Sequence, residues 1–520
     1  MRLPRASGVL LHPTSLPGPH GSGDLGESAR HFVDWLVAAG QRLWQVLPIG
    51  CIGPGHSPYM SASAFAGSPL LIDLEALRDR GWLETAELAP DDRFSPARVV
   101  WEAVVPWRME RLALAHARFV QRADEAELAD LGAYCMREAA WLEDFARFMA
   151  LADAHGQQAW ADWPAPLARR APAALAQADE RCRERIDFWR FTQWCFDAQW
   201  RALRDYAGAR GVRLVGDLPI FVAWQSADVW AHQGLFDLDL RGWPRVVAGV
   251  PPDFFSETGQ RWGNPLYRWE EHARQGYGWW IARLRRSFAL ADIVRIDHFR
   301  GFAAHWEIPA QAPTAVEGRW VPGPGAAFFE ALRNALGPLP LIAEDLGVIT
   351  DDVVALRRRF GLPGMRILQF AFGGDAANPY LPHHHEPDSV VYTGTHDNDT
   401  TAGWWGQAPA SVRAHLAAYL GTAAPAPAGV EPGVARAPEG AEAGAAVAAD
   451  LVRAALASVA DTAIVPMQDV LGLGAGHRMN TPGQQEGCWA WRFDWSLVHE
   501  GHARGLARLV TLYGRDARRG

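Results

Sequence analysis

The chain has 520 residues, a net charge of −9 at pH 7 and no lysine among its 50 basic residues. This acidic balance disfavours a general nucleic-acid or anionic-membrane binder. The absence of lysine excludes a P-loop lysine, a pyridoxal Schiff base and a lysine nucleophile. The five cysteines are odd in number, widely spaced and never in a C-x-x-C pair, which argues against a disulfide framework or a zinc ribbon.

The N-terminal segment contains an apolar run of only four residues, too short for a signal sequence. No apolar run reaches the 18 residues typical of a membrane span. These features, with the cysteine pattern, predict a reduced, cytoplasmic protein. The 25 tryptophans weakly favour a carbohydrate ligand, because indole rings stack on sugar rings, although many will pack in the core.

Eight short apolar segments, several ending in polar or acidic residues, recur along the chain. In chain order they are residues 8–16, 42–50, 212–222, 292–301, 339–347, 365–372, 389–400 and 462–472. Most are separated by helical patterns, for example at 31–40, 328–337 and 352–361. Strand followed by helix, eight times over, predicts an α/β fold of the (β/α)₈ TIM-barrel type.

The uneven spacing of these segments predicts one catalytic barrel domain over 1–520 with three interruptions. Residues 75–205 are strongly helical and are interpreted as an inserted helical subdomain. Residues 223–290 are rich in Trp, Gly and Pro and are interpreted as a loop-rich insertion. Residues 421–450 contain almost no large apolar side chains, so we expect a flexible surface loop.

Acidic residues follow four of the predicted strands. Asp217, Asp297, Glu344 and Asp397 each fall where a barrel strand approaches its carboxyl end, which is where barrels carry their chemistry. A single acid there often caps the next helix instead. Four acids converging on one mouth favour an active site.

Glycoside cleavage needs one ionised and one protonated carboxyl group. Asp297 shares a strand face with Arg295, whose charge is expected to lower the carboxyl pKa and suit Asp297 to act as a nucleophile. Glu344 follows an apolar run, so burial is expected to raise its pKa and suit it to act as a general acid. Asp397 lies between His396 and Asn398 and is expected to stay ionised and stabilise positive charge at the anomeric carbon.

Long motifs surround these acids. They are HPTSLPGPHGSGDLG at 12–26, SPY and SASAFAG near residue 60, GDLPIFVA with SADVW, GVPPDFFSETGQRWGNPLY, RIDHFRG, IAEDLG, YTGTHDNDT and RMNTPG at 478–483. Together they resemble the amylomaltases, also called disproportionating enzymes or 4-alpha-glucanotransferases, of the alpha-amylase clan. The resemblance covers nearly the whole chain.

The resemblance implies a barrel with helical insertions, no separate C-terminal β-domain, no metal and no other cofactor. It implies that Asp297 is the nucleophile, Glu344 the general acid/base and Asp397 the transition-state stabiliser. It also implies that residues 249–265 form a lid over the active site. The candidate substrate-binding residues are Tyr59, Asp217, Asp253, Trp262, Asn264, Arg295, His298, His396 and Asn480.

The expected activity is retaining transfer of an α-1,4-glucan segment to the 4-hydroxyl of glucose or another glucan. The expected partners are α-1,4-glucans and maltooligosaccharides, with no nucleic acid or membrane, and the oligomeric state is left open. Two alternatives remain: an amylase-like hydrolase and a non-catalytic glucan-binding protein. The histidines of PHHHEP (382–387) and the glycines of LGLGAG (471–476) are poor metal and dinucleotide motifs because their spacing is wrong.

Overall fold

A computed structural model describes residues 3–252, 256–421, 441–484 and 486–516. Its strands are β1 (Ala6–Leu10), β2 (Leu43–Gln45), β3 (Arg213–Leu218), β4 (Val246–Val250), β5 (Gln260–Pro265), β6 (Ile293–Ile296), β7 (Ala304–Pro309), β8 (Arg319–Pro322), β9 (Leu341–Ala343), β10 (Gly364–Ile367), β11 (Ser389–Tyr392) and β12 (Thr462–Pro466).

Eight of these strands form one parallel sheet in the order β10-β11-β12-β1-β2-β3-β6-β9. A backbone hydrogen bond of 2.9 Å from the Ala343 amide to the Pro363 carbonyl joins β9 to the start of β10 and closes the barrel. These are the eight strands expected from the sequence, so the predicted (β/α)₈ barrel is confirmed. Their apolar runs are buried on both faces, as parallel barrel strands require.

The helices are α1 (Glu27–Ala38), α2 (Leu74–Asp79), α3 (Trp101–Arg122), α4 (Glu125–Ala154), α5 (Ala165–Ala168), α6 (Pro172–Arg181), α7 (Arg183–Ala209), α8 (Ala227–Ala231), α9 (Trp269–Arg274), α10 (Gly278–Leu290), α11 (Gly325–Leu336), α12 (Asp351–Arg359), α13 (Thr401–Gln407), α14 (Ala410–Leu420), α15 (Ala441–Ala457), α16 (Met467–Val470) and α17 (Glu500–Leu512). One link departs from the strand–helix pattern: residues 368–388, between β10 and β11, contain only 3₁₀ turns. No helix in the described part of the chain is long and apolar enough to cross a bilayer.

The connection between β2 and β3 contains six helices, α2 to α7, of which α3, α4 and α7 are the longest. The long helix α4 packs along α7, and α7 in turn packs against α1 and β3 of the barrel. The buried residues of α7 are mostly large and apolar, including Phe191, Phe196 and Trp200. Helix α7 therefore serves both the insertion and the barrel wall.

A second, antiparallel sheet was not expected from the sequence. It has four strands in the order β5-β4-β7-β8. Strands β4 and β5 lie within residues 223–290, which the sequence suggested were loop-rich, and β7 and β8 follow barrel strand β6. The described parts of the segment 249–265 therefore include strand β5, which pairs with β4 in this sheet, so the segment is not only a loop.

The expected flexible loop at 421–450 differs from the structure over its last ten residues. Residues 422–440 lie outside the described residues. Residues 441–450 belong to α15, which buries Ala443, Val447 and Ala448 and packs against α13. Alanine is the best helix former, and its small side chain permits this close packing, so few large apolar residues were needed.

Arg515 links the C-terminal segment to the barrel at the amino-terminal ends of β1 and β12. Its guanidinium is buried and donates hydrogen bonds to the carbonyl oxygens of Ala6, Leu456 and four residues between 455 and 461. Ala6 begins β1, and Thr462, its register partner, begins β12. One side chain near the end of the chain therefore holds the first and last barrel strands together.

Candidate active site

The acids predicted at the strand ends meet at one mouth of the barrel. Asp217 of β3 is in register with Arg295 of β6. One terminal nitrogen of Arg295 donates to both carboxylate oxygens of Asp217, at 2.8 and 2.7 Å. The other terminal nitrogen donates to Oδ1 of Asp297 at 2.9 Å. Because both Arg295 and Asp217 are buried, this pairing fixes the Asp297 side chain from below.

Glu344 is held by the backbone of the neighbouring loop. The amide of His298 donates to its Oε2 at 2.6 Å, and the amide of Leu346 donates to its Oε1 at 3.0 Å. His298 adopts the left-handed conformation, with φ of 52°, which is uncommon for a residue with a Cβ atom and often marks a functional site. This turn directly follows Asp297 and aims the His298 amide at Glu344, so the loop that carries one acid positions the other.

The two carboxyl groups have different proton affinities. Burial raises the pKa of Asp297 to about 6, although the Arg295 charge opposes that shift. Burial, reinforced by the negative charge of Asp297, raises the pKa of Glu344 to about 8. The sequence-based expectation that Arg295 would leave Asp297 with a lowered pKa is therefore wrong in sign, because burial outweighs the ion pair. The expected order, with Glu344 holding its proton more tightly, is found.

Asp397 is braced by residues from the segment that follows β12. The Asn480 amide nitrogen donates to Asp397 Oδ1 at 2.6 Å, and Arg478 donates to the Asp397 carbonyl at 2.5 Å. His396 Nε2 lies 3.3 Å from the same Oδ1. Asn480 was predicted as a substrate contact, and that role stays a prediction; in the structure its nitrogen donates to Asp397. Arg478 was not singled out from the sequence, because nothing near it in the chain marks its tertiary partner.

Aromatic rings line the wall of the mouth between β2 and β11. Tyr59 donates to Asp217 Oδ2 at 2.8 Å and its ring stacks on His396, with centroids 5.2 Å apart and planes at 12°. Trp489 packs against both rings at 5.6 and 5.8 Å. Tyr59 and His396 were predicted separately as substrate contacts, and the structure places them in one cluster over Asp217.

The described part of the predicted lid segment contacts the loop that follows Asp297 through Trp262. Its ring meets the edge of His298 at 4.8 Å and 86°. Asn264 is buried and donates to the Val222 carbonyl at 2.9 Å, so its nitrogen anchors the lid strand β5 to the barrel. Asp253, the remaining predicted contact in the lid, lies outside the described residues together with Phe254 and Phe255.

The histidines of PHHHEP are occupied by protein contacts. His383 and His384 both approach the Ala376 carbonyl, and His385 lies between the Ser458 hydroxyl and the Tyr380 carbonyl. Within the described ranges, no group of three or more His, Cys, Asp or Glu side chains is arranged to hold a metal ion.

The fold and the site together define a class: a TIM-barrel enzyme with three acidic side chains, Asp297, Glu344 and Asp397, at one mouth of the barrel. Comparison with known proteins narrows that class. A family model described as 4-alpha-glucanotransferase matches residues 11–497. The chain belongs to the 4-alpha-glucanotransferase family.

Individual relatives agree with this assignment. The 4-alpha-glucanotransferase of Thermus thermophilus is 50% identical over 512 residues, which cover 98% of this chain and 99% of the relative. The chloroplastic/amyloplastic 4-alpha-glucanotransferase of Solanum tuberosum is 44% identical over 528 residues, covering 98% and 86%. Among solved structures, an amylomaltase from Streptococcus agalactiae in complex with acarbose superposes with a TM-score of 0.91 at 35% identity, covering 98% and 99%.

Proposed function

We propose that this chain is a 4-alpha-glucanotransferase that moves a segment of an α-1,4-glucan onto the 4-hydroxyl of glucose or another glucan, with retention of configuration. The observation that carries the proposal is the pair Asp297 and Glu344, which differ in pKa and lie at the ends of neighbouring strands, with the charge of Asp297 raising the pKa of Glu344. Membership of the family supports the choice of glucan as substrate.

In the first step Asp297 attacks the anomeric carbon while Glu344 protonates the departing glycosidic oxygen, which leaves a covalent glycosyl-enzyme. Glu344 accepts each backbone amide with one oxygen, so a lone pair remains on the carboxyl group for the proton. In the second step Glu344 removes the proton of the acceptor 4-hydroxyl, and the acceptor displaces Asp297. Asp397 stabilises the positive charge that develops on the sugar ring.

Several neighbouring side chains are suited to bind sugar hydroxyls or rings. Burial lowers the pKa of His298 to about 3, so its ring stays neutral, and its Nε2 makes no hydrogen bond within the described structure. Tyr59, His396 and Trp262 present aromatic surfaces at the mouth, and such surfaces stack on sugar rings. We assign Asp253 to the same set from the sequence alone.

We also propose a cytoplasmic location. All five cysteines are unpaired, which supports a reducing compartment. Cell fractionation with thiol labelling tests this: the protein is expected in the cytosolic fraction with its accessible thiols reduced.

The reaction is tested by chromatography of the products formed from maltotriose alone. Transfer yields glucose together with maltopentaose and longer chains while the number of reducing ends stays constant. Asp297→Asn and Glu344→Gln keep volume and remove the ionisable groups, so each is expected to lower kcat by about three orders of magnitude or more without unfolding the protein. Release of only glucose and maltose with rising reducing ends would identify a hydrolase instead.

A further inference from the structure

A buried carboxylate outside the catalytic set contacts the loop that carries Asp397. Asp469 lies in α16, immediately after β12, and is 3% exposed. Like Asp297, Glu344 and Asp397, it follows a barrel strand, yet its side chain is turned into the protein. Its partners are Thr393 and Thr401, which are both fully buried.

Three hydrogen bonds converge on this carboxylate. The Thr393 hydroxyl donates to Oδ2 at 2.5 Å, and the Thr401 hydroxyl donates to the same oxygen at 2.7 Å. The Thr401 amide donates to Oδ1 at 2.7 Å. Hydrogen bonds to an ionised acceptor are shorter and stronger than neutral ones. The three contacts therefore hold Asp469 strongly to Thr393 and Thr401.

The two threonines are the ends of one loop. Thr393 follows β11, Thr401 begins α13, and the seven residues between them include His396 and Asp397. A second residue contacts the same loop near both of its ends. Gln369, after β10, donates from its backbone amide to the Thr393 carbonyl at 3.1 Å and from its side chain to the Asp399 carbonyl at 2.9 Å.

We propose that Asp469 is a positioning residue for glucan transfer: it ties together the two ends of the Asp397 loop and so holds Asp397 where charge develops on the sugar. This inference rests on the proposed function. Closing the loop at its base removes the backbone freedom of the residues within it. A displacement of about 1 Å at a catalytic group is enough to cost about a hundredfold in rate.

The test compares Asp469→Asn with Asp197→Asn. Asp197 lies in α7, far along the chain from the Asp397 loop, and is equally buried, at 3% exposed; it pairs with Arg286 of α10 and with Arg201 of its own helix. Both variants are expected to lower the thermal midpoint. Asp469→Asn is expected to lower kcat on maltotriose about tenfold or more with KM changed less than about threefold, because Asp397 acts mainly in the transition state. Asp197→Asn is expected to keep kcat within about twofold.

A double-mutant cycle distinguishes positioning from general damage. In an Asp397→Asn background, measured with an activated donor such as α-maltosyl fluoride, Asp469→Asn is expected to cause little further loss, because residues that act through one another are non-additive. The same factor in both backgrounds would overturn the proposal. So would an Asp469→Asn enzyme with kcat within twofold of the wild type.

A gentler pair of variants covers the case in which Asp469→Asn fails to fold. Thr393→Val removes one hydroxyl donor at constant shape, whereas Thr393→Ser keeps it. The valine variant is expected to lose kcat and the serine variant to retain most of it, and equal rates would also overturn the proposal. A wild-type enzyme that fails to disproportionate maltotriose would refute the proposed function, whereas an active wild type with an unaffected Asp469→Asn would refute only the positioning role.

Discussion

The two carboxyl groups proposed for catalysis, Asp297 and Glu344, have different immediate surroundings. Asp297 accepts a hydrogen bond from the Arg295 guanidinium, whose fixed positive charge favours the ionised form and opposes the rise in pKa that burial causes. Glu344 receives only two neutral amides and faces the charge of Asp297. The two carboxyl groups at one mouth therefore differ in proton affinity, which is the condition for one to attack while the other protonates.

The pH dependence of kcat/KM should report this pair. Asp297 must be ionised and Glu344 protonated, so the rate should rise with pH through about 6 and fall through about 8, values that belong to the coupled pair. With α-maltosyl fluoride, whose leaving group needs no proton, the alkaline fall should vanish from the first step. An alkaline limb that persists with the fluoride would assign it to a group other than Glu344.

At the scale of elements, part of the predicted lid segment 249–265 is the β-strand β5 rather than a loop. Trp262 lies on β5, which pairs with β4, so its contact with His298 is supported by a sheet. The covalent intermediate is exposed to water at about 55 M, and an acceptor sugar prevails only if the site orients it and restricts water.

Trp262→Ala should therefore increase hydrolysis at the expense of transfer. The ratio of hydrolysis to transfer is obtained from total reducing ends and released glucose during turnover of maltotriose. Trp320→Ala is a matched control, because Trp320 lies on β8 of the same sheet, where its ring covers Arg300 rather than His298. An unchanged ratio in the Trp262 variant would show that another part of the lid excludes water.

The link between α14 and α15 offers a test by deletion. Replacing residues 422–440 by a short Gly/Ser bridge should leave kcat within about a few-fold, because that segment has few large apolar residues to contribute to a core. Extending the deletion to residue 450 should destabilise the protein, since it removes the buried Val447 and Ala448. Thermal midpoints of the two variants decide the matter, and equal midpoints would contradict the packing role of α15.

The sequence predicted the elements whose signals are local. The barrel strands are recognisable in the sequence as apolar runs, and the acids lie at or soon after the ends of those runs. Strands β4 and β5, VVAGV and QRWGNP, contain Gly and Pro, and β4 also pairs with β7 more than 50 residues later, beyond barrel strand β6. Such a sheet depends on tertiary pairing, as do the braces that Arg478 and Asp469 supply to Asp397. The sign of the Asp297 pKa shift was predicted wrongly for the same reason. The extent to which Asp297 is buried cannot be inferred from the residues next to it in the sequence.

At the scale of the whole molecule, the barrel is held shut by side chains remote from the chemistry. Arg515 satisfies six buried carbonyl oxygens at the bottom of β1 and β12, where no carboxylate is among its hydrogen-bond acceptors. Burial lowers the pKa of Arg515 to about 9, still high enough for the guanidinium to remain charged at neutral pH.

Arg515→Ala should destabilise the fold by about 3 kcal/mol or more, since buried carbonyl groups lose their donors, while kcat at low temperature stays near that of the wild type. Arg504→Ala is the control: Arg504 is exposed and pairs only with exposed Glu500, so its removal should cost less than about 0.5 kcal/mol. Denaturant titration followed at two wavelengths measures both. Equal stabilities would show that the carbonyls find other donors.

The pairing of β1 with β12 also has a consequence for biosynthesis. The first strand to leave the ribosome finds one of its two neighbours, β2, soon after, but its other edge stays unpaired until β12 has been made more than 450 residues later. Arg515, which fastens that seam, emerges later still. Closure of the barrel therefore waits until β12 has been made, and until then an apolar strand edge of β1 is open to wrong partners. The length of chain between β1 and β12 sets how long that edge lacks its partner during synthesis.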